Sequence, residues 1–107
     1  MTLILIYNKL VRDNIPAIIE KSGKTFTTLL PNDTEYITEI NNKMSEELAE
    51  YLETTTTEDA LEELADLLEL IHAATAYHRA TFEELENTRI DKAEKRGGFN
   101  KRIFCWK

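Results

Sequence analysis

The chain has 107 residues, 42% hydrophobic and 31% charged, with a formal net charge of −7. That length predicts a single domain. No apolar run approaches the ~20 residues of a membrane-spanning helix, and the single cysteine, Cys105, excludes an internal disulfide. The acidity argues against a nucleic-acid polymer held by simple electrostatics.

Residues 2–7 are rich in Leu and Ile and read as a short strand or extended arm. They are too short for a signal peptide and have no cleavage-type ending, and with one cysteine the chain reads as cytoplasmic. A short helix follows, capped by Asp13 or Asn14, with Pro16 in its first turn and Gly23 at its end. Residues 25–30 are β-branched and apolar and are expected to pair with the N-terminal arm. The second helix is predicted from Asp33 to about Glu53. The third starts within the threonine run 54–57, with Thr55/Glu58 or Thr56/Asp59 as a capping box, and runs to about Arg79. The fourth starts at Thr81 with Glu84 as its capping-box partner, runs to about Arg96, and ends at Gly97-Gly98. A basic, aromatic tail completes the chain. The expected class is mainly all-α: a four-helix-type bundle with short extended or β segments at its N- and C-terminal ends.

Two helices carry acids in a pattern: Glu46, Glu47 and Glu50 on the second, Glu63 and Asp66 on the third. Residues three or four apart share a helical face. A tight turn in the threonine run would bring the two sets together. At ~100° per residue, the second helix has an apolar arc of Tyr36, Ile37, Ile40, Met44, Leu48 and Tyr51, and Glu47 falls inside it. On the third helix the arc includes Leu61, Leu64, Leu67, Leu68, Leu70, Ile71 and Ala74. Glu63 lies within that arc and Asp66 borders it, whereas Glu39, Glu53, Glu62 and Glu69 point elsewhere. A carboxylate turned toward a core needs a compensating charge. Either Arg or Lys partners supply it, or a hard divalent cation with oxygen ligands does, such as Mg²⁺.

Charge is unevenly spread. Residues 33–69 hold 13 acids and one base, Lys43; the rest of the chain holds 12 bases and 7 acids. Bases gather near both ends, at Lys9 and Arg12 and at Lys92, Lys95, Arg96, Lys101 and Arg102. An acidic centre with basic ends suits a metal that carries a phosphorylated ligand. No Ser–His–Asp or Cys–His arrangement is evident, which argues against covalent catalysis.

The pattern E-E-x-x-E, twelve residues, then E-x-x-D resembles the signature of the all-α nucleoside triphosphate pyrophosphohydrolases. These include MazG, the dimeric dUTPases and the phosphoribosyl-ATP pyrophosphohydrolases. The stretch from Asn8 to Pro16 (NKLVRDNIP) resembles the start of the small MazG-like, phosphoribosyl-ATP-pyrophosphohydrolase-like branch. So do Glu62 to Glu69 (EELADLLE) and Lys92-x-x-x-Arg96-Gly97-Gly98-Phe99. The resemblance implies that Glu47, Glu50, Glu63 and Asp66 bind Mg²⁺, with Mn²⁺ as a substitute. It implies that Glu46 is a further ligand or helps to activate water, which makes Glu46 and Glu47 the catalytic candidates. Lys92, Arg96, Lys9 and Arg12 would contact substrate phosphates. The implied reaction cleaves a nucleotide between its α- and β-phosphates to a monophosphate and pyrophosphate, in a homodimer or homotetramer.

Two other readings compete. One is a non-catalytic acidic helical module that engages a basic partner. The other is a di-iron carboxylate protein, from the E-x-x-H spacing of Glu69 and His72. Only one such motif is present, so His72 reads better as an ordinary, partly buried histidine. Arg96 also has a plainer reading, as a favourable cation at a helix C-terminus.

Overall fold

The computed structural model describes residues 9–28 and 30–106. They form an all-α protein of four helices: α1 (Ile15–Lys21), α2 (Asp33–Leu52), α3 (Thr57–Tyr77) and α4 (Phe82–Arg96). No described helix is long and apolar enough to cross a membrane. The predicted N-terminal strand at 2–7 lies outside the described residues. Among the described residues the second predicted strand does not form: residues 25–28 hold a single bridge position at Thr25 and Leu30 is exposed, while the arm expected to pair with them lies outside those residues. The tail from Phe99 to Trp106 is likewise neither helix nor strand.

The chain divides into two compact units, residues 1–74 and 75–107, with α3 beginning in the first and ending in the second. In the first unit, α2 starts at an Asn32 cap whose side chain accepts the Glu35 N–H at 2.8 Å. Such a cap stabilises a helix by ~1 kcal/mol. The connection from α2 to α3 is four residues. Thr54 turns back through its N–H and its hydroxyl, both donating to the Tyr51 carbonyl, and Thr56 accepts the Asp59 N–H at 3.1 Å. α1 differs from expectation. Asn14 occupies the cap position but in a helical conformation, and its side chain makes no capping bond. A capping side chain reaches the next turn from extended backbone; here the chain enters α1 through a turn in which Ile15 N–H donates to the Arg12 carbonyl.

Three described residues are buried: Ile19, Ile40 and Glu47. Ile40, on the apolar side of α2, is completely enclosed. α3 contributes no buried residue, and Leu61, Leu64, Leu68 and Ile71 along its apolar side are exposed. Periodicity established that this face is apolar; the described chain does not cover it.

In the second unit, α4 carries the full capping box. Glu84 N–H donates to Thr81 Oγ1 at 3.1 Å, and Thr81 N–H donates to Glu84 Oε1 at 3.3 Å. The turn before it is closed by Arg79, at φ 60°. Its N–H donates to the Ala76 carbonyl, while Ala80 N–H reaches the Thr75 carbonyl. These are the two bonds of a Schellman motif, with an arginine where glycine is usual. α4 ends at Gly97, φ 82°, as the two glycines predicted.

Candidate metal centre

The four-residue reversal sets the acids of α2 against those of α3. Glu46, Glu47 and Glu50 each offer a carboxylate oxygen within 4.8 Å of the others, and so do Glu47, Glu63 and Asp66. Glu47 belongs to both groups. This is the convergence that the i, i+3 and i+4 spacings predicted. Either group has the size and the oxygen chemistry to hold a hard cation, although acidic clusters also occur without one.

Glu47 is 5% exposed, as its place in the apolar arc predicted. Its Oε2 and that of the half-buried Glu63 are both enclosed and make no hydrogen bond. Ionised carboxylate oxygens only accept, so two that face each other need a proton or a cation between them. Burial pushes the Glu47 carboxyl above the usual carboxylate range. The Glu47 carboxyl, close enough to share a proton in a hydrogen bond, pushes Glu63 the same way. Glu46 goes the other way, held down by the hydrogen bond from Lys9.

Three cations answer the acids. Lys43 Nζ lies 3.4 Å from Glu47 Oε1 and 3.7 Å from Glu46 Oε1. Lys9 Nζ lies 3.2 Å from Glu46 Oε1, and Arg12 Nη2 lies 2.5 Å from Asp66 Oδ1. The Arg or Lys partners that the sequence left open are therefore present. Five carboxylates against three cations leave a formal charge of −2 when all are ionised, and the two buried Oε2 atoms remain unanswered.

Lys43 was not among the predicted site residues. The signal lay in its spacing: three residues before Glu46 and four before Glu47, it had to share their face. It also lines a cleft of about 360 Å³ with Lys9, Leu10, Glu39, Asn42 and Glu46. Lys9 and Arg12, assigned from the sequence to substrate phosphates, here contact carboxylates of the cluster. Lys92 and Arg96 lie exposed on α4 in the second unit, one turn apart. Glu69 is exposed, and among the described residues neither it nor His72 belongs to a potential ligand group within this one chain. No family profile, curated protein or solved structure matches this chain.

Proposed function

We propose that the protein is a Mg²⁺-dependent nucleotide pyrophosphohydrolase of the MazG-like, all-α kind. In this reading it cleaves a nucleoside triphosphate or related nucleotide between the α- and β-phosphates, giving a monophosphate and pyrophosphate. The observation that carries the reading is the pair of enclosed, unanswered oxygens on Glu47 and Glu63, within a set of carboxylates spaced to share a cation. The resemblance of three blocks of the chain to that superfamily supports it.

Glu47, Glu50, Glu63 and Asp66 would hold the metal, with Mn²⁺ able to substitute. A divalent cation bound there supplies charge neutralisation at the phosphates and a more acidic water. The chain's own residues then divide the remaining work. Glu46, at the edge of the cluster, would be a further ligand or would accept a proton from water. Lys43 keeps Glu46 and Glu47 on the working face. Lys9 and Arg12 would contact phosphate oxygens, and the resemblance assigns the same role to Lys92 and Arg96 of the second unit. In-line transfer needs little covalent chemistry from the protein beyond this positioning. The exposed leucines of α3 support assembly as a homodimer or homotetramer, since such a face is stabilised when a second copy covers it.

The test is pyrophosphate release from a panel of NTPs, dNTPs, dUTP and phosphoribosyl-ATP, with Mg²⁺ and with EDTA. Metal-dependent release of pyrophosphate and monophosphate is expected; release of orthophosphate, or turnover unaffected by EDTA, refutes the reading. The ion pairs of Lys9 and Arg12, which show these acids accepting basic side chains, favour a second reading, an acidic helical module that engages a basic partner and catalyses nothing. Melting curves separate the two. A built metal site raises Tm with micromolar to millimolar Mg²⁺ by mass action, whereas a diffuse acidic face responds only as it does to salt.

A further inference from the structure

Each ligand group of the centre has one member already held by a cation from outside the helix pair. Lys9 takes Glu46, a member of the first group; Arg12 takes Asp66, a member of the second. Both cations come from the irregular segment that leads into α1, and both are about half exposed, at 47% and 57%. Lys43 is different in kind. It sits one turn from its partners on the same helix at 21% exposure, so it stays with them whatever else binds. The buried Oε2 atoms of Glu47 and Glu63 accept no hydrogen bond from the segment. They give an incoming cation an anchor for which Lys9 and Arg12 do not compete.

Exposed ion pairs of this sort shift an equilibrium by no more than about fivefold. A divalent ion that meets several carboxylates at once outweighs them. We infer that Lys9 and Arg12 are exchangeable counter-ions of the centre: a divalent cation replaces them on Glu46 and Asp66, and they then turn to the phosphate-type anion that the metal carries. The inference rests on the metal centre proposed above, and it predicts effects of opposite sign for metal alone and for metal with anion.

The experiment is calorimetric titration of the wild-type chain, Arg12→Gln and Lys9→Gln, first with MnCl₂ and then with magnesium pyrophosphate. Each variant is expected to bind Mn²⁺ about two- to fivefold more tightly than wild type and magnesium pyrophosphate more weakly, with Arg12→Lys restoring wild-type behaviour. Any other combination, such as both probes weakened or neither changed, overturns the inference while the centre stands. Absence of Mn²⁺ binding by the wild-type chain removes the centre, and the inference with it. Should a variant fail to fold, trypsin on the wild-type chain decides. Cleavage after Arg12 is expected to quicken when MnCl₂ is added; unchanged or slower cleavage at that bond overturns the inference.

Discussion

Two ion pairs in this protein have nearly the same spacing and opposite surroundings. In the first unit, Lys43 meets Glu47 four residues later on α2, where the carboxylate is enclosed and one of its oxygens finds no donor. In the second unit, Arg89 grips Glu86 three residues earlier on α4 through both carboxylate oxygens, with both side chains in water. By spacing alone the two are equivalent i, i+3 or i+4 pairs; what sets Glu47 apart is its place among apolar side chains. The Glu86 carboxyl is held below its usual range by Arg89, whereas Glu47 is pushed above its own by burial. A satisfied surface pair has nothing left to offer a ligand; a buried acid that keeps an unanswered oxygen does. The comparison shows that burial, more than the count of acids, separates the candidate site from the rest of an acidic surface.

The strongest way to break that comparison is Glu47→Gln against Glu86→Gln. The first is expected to lower pyrophosphate release by about two orders of magnitude or more and to abolish the Mg²⁺-induced rise in Tm. The second should leave both unchanged. Equal effects would mean that burial does not mark the site. Next in size is Lys43→Met, which leaves Glu47 without its nearest cation and should cost about 1–3 kcal/mol in urea unfolding. Arg89→Met should cost under ~0.5 kcal/mol by the same measurement.

The helix caps extend the comparison to smaller energies. Thr81→Ala removes half of a complete capping box and should cost ~1 kcal/mol. Asn14→Ala, at a cap position whose side chain makes no capping bond, should cost almost nothing in the same thermal melts. Smallest is Arg79→Gly. Relieving the positive φ is offset in part by the greater freedom of glycine in the unfolded chain, so a gain of about 0.5 kcal/mol is expected.

What the sequence disclosed was local. The bounds of α2, α3 and α4 follow from caps and breakers only a few residues away, and the spans expected from Asp33, from the threonine run and from Thr81 agree with those observed to within a few residues. Glu47 was legible because helical periodicity places it among apolar side chains, and burial obeys that periodicity. Two things were not legible. Asn14 looks like any other capping residue until its backbone conformation is known. The pairing of Arg12 with Asp66 joins residues 54 apart, and no local rule encodes a contact of that separation. The exposed leucines of α3 form a third case: periodicity says which face is apolar and is silent about what covers it.

The sequence separation of these contacts also orders the folding reaction. Glu47 and Glu63 are sixteen positions apart and are joined by a hairpin with a four-residue reversal. Closing so short a loop costs little entropy and is fast. Lys9 and Arg12 reach their acids only after much longer loops close. By loop length alone, the carboxylates are expected to meet before their distant counter-ions arrive, with only Lys43 at hand to offset their repulsion. A divalent cation present during refolding would relieve this early repulsion and act on the folding rate as well as on the finished protein.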